Sequence, residues 1–281
     1  MSVAEQPASQ RPQSLMLTFF AVHVLGRGLA VSSGSVIDAL GRVGVGEDAV
    51  RATLARMVGR GLLERHRRGR KMYFGLTARA ASVLRDGRDR VWRLGAVNRG
   101  WDGTWTVVGF SLPEAWASER HDLRSRLVWA GFGPVQSGMW IAAGRVDVAA
   151  LVDGLDLNGH LRVFHGVAAA PTEAAALIGG AFDLPGIAAR YQMFRDRWGG
   201  VDGTLPGDGD PLARQLLLHT EWLNLVRQDP HLPAEHLPEG WPAAACEELF
   251  HRLAGHFDGP AALLAVELLD CVPADPPPAG A

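Results

Sequence analysis

At 281 residues the chain exceeds one typical domain, and 47% hydrophobic with 21% charged content describes folded cores, which excludes an intrinsically disordered polymer. No run of about 18 apolar residues offers a membrane span, and the polar start MSVAEQPASQRPQS lacks a signal-peptide core. Cys246 and Cys271 cannot build a disulfide framework and form no CxxC pair, so a reducing, cytoplasmic location is expected, with no membrane partner.

In chain order, residues 1–13 are expected to be disordered, and LMLTFFAVHVL at 15–25 is apolar enough for a buried helix. Ser-Ser-Gly-Ser at 32–35 offers N-caps for a second helix, VIDALGRVG, with Val36, Ile37 and Leu40 inward. After a turn at Gly44 and Gly46, a third helix runs through GEDAVRATLARMVGRG. Its apolar stripe is Val50, Leu54, Met57 and Val58; Glu47 and Asp48 face the positive helix end, and Gly61 suits the C′ position. Two strand-like segments, LLERHR and KMYFGLT, flank an Arg68-Gly69-Arg70 turn as a β-hairpin, and Thr77 caps a helix to about Leu94. Helix, helix, helix, hairpin, helix is the order of a winged helix-turn-helix, placed over residues 1–96.

A second unit is expected over 97–170. WTVVGF is a strand, WASERHDLRSRLVWAGFG a helix with Leu123, Leu127 and Val128 inward, PVQSGMWIAAG two strands around Ser137-Gly138, RVDVAALVDG a short helix and LRVFHGV a last strand. This βαββαβ order is ferredoxin-like. From Pro171 the chain reads as helices: TEAAALIGGAF, IAARYQMFRDRW, PLARQLLLHTEWLNLVRQ, PAAACEELFHRLAGHF and PAALLAVELLD, separated by Gly/Pro/Asp loops such as 199–211, with 273–281 expected to be a disordered tail. The fold class is therefore multidomain α+β, with a helical C-terminal domain over 171–281.

The net charge of −2 conceals a segregation. From Arg51 to Arg93 thirteen bases stand against Glu64, Asp86 and Asp89, while beyond residue 93 there are 12 bases and 23 acids. A basic end on an acidic body suits a polyanion. On the third helix Arg51, Arg56 and Thr53 are candidates for base edges, because a guanidinium matches the O6 and N7 of guanine in the major groove. Arg60 and Arg65 are assigned to phosphates. Arg67, Arg68, Arg70 and Lys71 of the hairpin are assigned to the backbone or minor groove, over an anchor of Tyr73 and Phe74.

Three segments resemble the PaaX-type transcriptional repressors: DAVRATLARMVGRGLLERHRRGRKMYFGLTARA, WDGTWTVVGFSLPE…LRSRLVWAGFGPVQSGMWIA, and HTEWLNLVRQDPHLPAEHLPEGWP with its DPxLPxxxLPxxWP pattern at 229–242. The resemblance covers roughly residues 14 to 257. It implies a homodimeric repressor of a catabolic operon, commonly for phenylacetate or related aromatic acids, released from its double-stranded DNA operator by an aryl-CoA thioester.

Such an effector, an acyl-CoA and not a resident cofactor, wants aromatic walls and guanidinium groups. The C-terminal helices supply Tyr191, Trp198 and Trp222 beside Arg190, Arg195, Arg197 and His219. Catalytic and metal sites are not expected. The central unit also resembles the small CRISPR-adaptation nuclease, but Ser111 follows its first strand where that family has a metal-binding aspartate, and one hydroxyl is a poor Mg²⁺ ligand. GFSLP is not a GxSxG elbow, and the pairs His231/His236 and His251/His256 are five apart, which does not put both on one helix face. The competing readings are a metal-dependent nuclease and an RNA-binding module.

Overall fold

The computed structural model describes residues 11–89, 96–200 and 205–274. In chain order the elements are α1 (Pro12–His23), β1 (Leu29–Ser32), α2 (Ser33–Gly41), α3 (Glu47–Gly59), β2 (Leu63–Arg68), β3 (Lys71–Leu76), α4 (Ala78–Asp89), β4 (Trp105–Phe110), α5 (Ala117–Trp129), β5 (Gly133–Gln136), β6 (Met139–Ala143), α6 (Val148–Val152), β7 (Leu161–Gly166), α7 (Ala174–Ala181), α8 (Leu184–Trp198), α9 (Pro211–Gln228), α10 (Ala243–Leu268) and β8 (Cys271–Pro273). They form two compact units, one of Met1–Arg93, Asp196–Leu223 and Glu248–Ala281, the other of Leu94–Arg195 and Asn224–Glu247. α8, α9 and α10 each give residues to both.

The first unit is built around three short helices and an antiparallel sheet of order β2-β3-β1-β8. Helix starts and stops follow the local chemistry. The Ser32 hydroxyl accepts from the Ser35 amide to cap α2, and the Thr77 hydroxyl accepts from the Ala80 amide at the start of α4. α3 ends at Gly61, whose φ of +66° lets the Leu62 amide reach back to the Met57 carbonyl (2.9 Å) and close the helix end. The core gathers Met16, Phe19 and Phe20 of α1, Val36 and Leu40 of α2, Val50, Leu54 and Met57 of α3, and Leu63 and Phe74 of the hairpin. Leu212 and Leu216 of α9 sit in the same core, and Leu264 and Leu268 of α10 pack against it. The N-terminal elements thus share their core with C-terminal helices.

Four features of this unit differ from the sequence expectations. β1 was not foreseen, because four residues carry too little periodicity. α1 begins at Pro12, inside the segment expected to be disordered. α10 is one helix running through Pro260, where a break between two helices was expected. Proline removes one backbone donor and crowds the preceding turn, and here the helix continues through it. The fourth is β8, whose Leu29↔Pro273, Ala30↔Val272 and Val31↔Cys271 pairs put the start of the expected tail into a sheet. Residues 90–94 of the fourth expected helix, 201–204 of a loop and 275–281 of the tail lie outside the described residues.

In the second unit the sheet order is β5-β6-β4-β7 and every pairing is antiparallel. Alternation along β4 sends Val108 to one face and Trp105 to the other. α5 and α6 cover the first face with Leu123, Leu127, Val148 and Val152, whereas Ile178 and Ala181 of α7 and Leu232 cover the second. Val128, expected to point inward from α5, is exposed instead. The DPxLPxxxLPxxWP segment is a docking strap. Asp229 accepts from the Tyr191 hydroxyl and from the His231 amide, Asn98 donates to the His231 carbonyl (3.2 Å) and accepts from the Ala234 amide (3.0 Å), and Leu232 enters the core. Burial holds the Asp229 carboxyl above its ordinary range and pushes the Tyr191 phenol up as well.

Candidate nucleic-acid interface

α3 presents two faces. Val50, Thr53, Leu54 and Met57 are buried, while Arg51, Ala52, Ala55, Arg56 and Arg60 are exposed. The small alanines between the arginines leave the outer face low, which lets a helix approach a groove floor. Each arginine already has a neighbour: Arg51 Nε donates to the Glu47 carboxylate (2.8 Å), Arg56 donates to the Thr53 hydroxyl (3.1 Å) and Arg60 to the Gln13 side chain (3.3 Å). The Arg51 pair is more than half exposed, so it costs little to exchange for another anion.

Thr53 does not belong among base-edge candidates. It is buried, and its hydroxyl donates to the Ala49 carbonyl one turn back (2.7 Å). Its place on the apolar side follows from its spacing of three from Val50 and four from Met57. The same hydroxyl accepts from the Arg56 guanidinium.

The hairpin closes through Gly69 and Arg70, with Arg68↔Lys71, Arg67↔Met72, His66↔Tyr73 and Arg65↔Phe74 in register. Gly69 has φ of +60°, the backbone that a two-residue turn of this hand needs at its first central position. Alternation divides the bases: Arg65 and Arg67 share a face with Phe74 and Met72, while Arg68 and Lys71 share the other with His66 and Tyr73. Arg65, Arg67, Arg68, Arg70 and Lys71 are all exposed. Arg67 donates to the Gly69 carbonyl (3.3 Å).

Lys71 carries a partner that the sequence did not announce. Its ammonium lies 2.8 Å from the Asp270 carboxylate, which also accepts from the Tyr73 hydroxyl at 3.2 Å. The hydrogen bond between them holds the Lys71 ammonium above its usual pKa and the Asp270 carboxyl below its own. A separation of 199 residues, bridged by tertiary contacts, gives no periodic signal in the sequence.

The residues expected to hold an effector are divided between the two units, and α8 carries five of them. Arg190, Tyr191 and Arg195 belong to one unit, Arg197, Trp198, His219 and Trp222 to the other. Tyr191, Trp198, His219 and Trp222 are buried with internal partners. Trp198 donates to Glu221 (2.7 Å), His219 meets Asp258 (3.0 Å), and Trp222 stacks on Phe250 with centroids 4.9 Å apart. Arg197 pairs with Glu221 (3.1 Å) and Arg195 with Gln192 (2.6 Å). Helical aromatics at core spacing look alike in sequence whether they face a ligand or a neighbouring helix.

The second unit has a cleft of about 480 Å³ at the end of β4, lined by Gly109, Phe110, Ser111, Gly159, His160 and Arg162. Its lining includes no carboxylate, and among the described residues no three His, Cys, Asp or Glu converge as metal ligands. No described helix is long and apolar enough to cross a membrane.

Comparison with known proteins yields three consecutive family matches: a PaaX-like protein domain over residues 11–80, the PaaX protein central Cas2-like domain over 98–178, and a PaaX-like protein C-terminal domain over 182–265. The transcriptional repressor PaaX of Escherichia coli K12 is 26% identical over 269 residues, spanning 90% of this chain and 82% of its own. Among solved structures, an uncharacterized protein of Mycobacterium tuberculosis shares the fold with a TM-score of 0.58 and 23% identity, over 89% of this chain and 95% of that one.

Proposed function

The chain belongs to the PaaX family, and from that premise we propose that it is a transcriptional repressor, a regulator and not an enzyme, that grips duplex DNA with α3 and the β2–β3 hairpin. The observation that carries the reading is their composition and order. A helix with exposed Arg51 and Arg56, ending in an exposed Arg60 at its C-cap, is followed at once by a two-residue-turn hairpin whose exposed side chains are almost all cationic. In this reading residues 1–96 form a winged helix-turn-helix. The β5-β6-β4-β7 sheet with α5 and α6 over 97–170 is the ferredoxin-like central domain, and the helices over 171–281 form the C-terminal domain.

The roles divide by chemistry. Arg51 and Arg56 read base edges in the major groove, while Arg60, Arg65, Arg67, Arg68, Arg70 and Lys71 meet phosphates or the minor groove and supply affinity without sequence choice. A homodimer would place two such units on a palindromic operator, as two-fold symmetry requires. The regulated operon is one for phenylacetate or a related aromatic acid, and an aryl-CoA thioester releases the protein by favouring the conformer that does not fit the operator. Footprinting upstream of the protein's own operon tests the reading: a discrete palindrome should be protected, and protection should fade on adding the aryl-CoA but not the free acid. Uniform protection along the duplex would contradict it.

A further inference from the structure

We propose that Asp270 is a built-in phosphate surrogate, a carboxylate that occupies the wing cation Lys71 and sets how many DNA phosphates the wing neutralises. The proposal rests on the DNA-binding reading above. The carboxylate is placed from both sides. Its own amide donates to the Ser35 hydroxyl (2.9 Å), its carbonyl accepts from the Ser32 amide (2.9 Å), and the Ser35 hydroxyl donates to the Leu268 carbonyl (3.3 Å). The N-terminal end of α2 thus clamps the exit of α10, and β8 then continues as a strand beside β1. So held, Asp270 receives the Lys71 ammonium at 2.8 Å and the Tyr73 hydroxyl at 3.2 Å, as a phosphate oxygen would.

The pair is exposed, with 68% of the Lys71 side chain and 38% of that of Asp270 accessible, so it contributes little to stability. What it fixes is the charge of the wing. Lys71 lies opposite Arg68 beside the turn, and while the carboxylate is seated the Lys71 charge is neutralised. A DNA phosphate must displace Asp270 to gain Lys71. The end of α10 and the seat of β8 therefore govern the grip of the wing without touching DNA, and Asp270 acts as a positioning residue.

The test is the binding of the full-length protein to a random-sequence duplex over a salt series. Asp270→Asn should bind several-fold tighter at low salt and steepen the slope of log K against log salt by about 0.9, the value of one added phosphate contact. Asp270→Glu, which keeps the charge, should retain the wild-type slope. In a Lys71→Ala background Asp270→Asn should add nothing. Asp270→Ser removes the same charge with a different shape and should reproduce the gain, which guards against a local packing fault in the Asn variant. An unchanged slope in both neutral variants, or a gain that survives Lys71→Ala, overturns the surrogate while leaving DNA binding intact. A wild-type protein that binds no duplex overturns both.

Discussion

His23 shows what a single buried side chain contributes in this fold. Burial, then the nearby Arg27 charge, lower its pKa to about 4, with Gln215, His219 and Asp258 as the other groups around it. The unfolded chain takes up a proton near pH 6.5 that the folded chain refuses until about 4. The contribution of this group is therefore whole above pH 6.5 and declines as pH falls through that window, by about 3 kcal/mol at about 1.4 kcal/mol per pKa unit. Asp258 adds to the loss at lower pH, because His219 and Gln215 hold its carboxyl below the ordinary range against the opposing effect of burial. Denaturant titrations at pH 7 and pH 5 should show this decline in the wild type and a smaller one in His23→Gln; equal declines would remove His23 from the account. At this scale the sequence was readable where a residue acts on its own face of a helix. Thr53 illustrates the limit. Its polarity suggested a base contact, while its spacing from Val50 and Met57 already placed it on the buried side.

Elements were legible where periodicity and caps agree. α2, α3 and the hairpin lie where Ser32, the Val50–Leu54–Met57 stripe and Gly69 put them, since each signal is local to its element. β1 and β8 were not legible, because strands of four and three residues derive their stability from partners distant in sequence. α10 was read as two helices because proline carries a large local penalty, which the packing of Leu264 and Leu268 against the core offsets. Pro260→Ala should then stabilise the protein by about 1–3 kcal/mol, raising the melting temperature with the helix content unchanged. A fall in melting temperature would mean that the ring itself is packed. In the hairpin, Gly69→Val should strain a left-handed backbone position, cost about 1–2 kcal/mol and weaken duplex binding. Binding unaltered in that variant would argue that the turn does not position the hairpin arginines.

For the whole chain, the order of three segments was readable because each carries its own pattern, and the same order returns in the three family matches. The sharing of one core by the first and last parts of the chain was not readable, since nothing in PLARQLLLHT says which neighbour Leu212 and Leu216 will meet. Leu216→Ala should accordingly destabilise the unit that carries α3 by about 2–5 kcal/mol and reduce duplex binding at temperatures near its lowered melting point. Full stability in that variant would show that the C-terminal helices do not complete this core. The burial of Tyr191, Trp198 and Trp222 was not readable for the same reason: they were chosen for chemistry, and their burial is a property of the assembled fold.

The central claim is that α3 reads sequence while the hairpin supplies grip. Its most direct test is the affinity of Arg56→Ala for the protected operator and for a random duplex of equal length, at one salt concentration. The account predicts a loss of about 1–3 kcal/mol on the operator and a much smaller loss on the random duplex. An equal loss on both would contradict it.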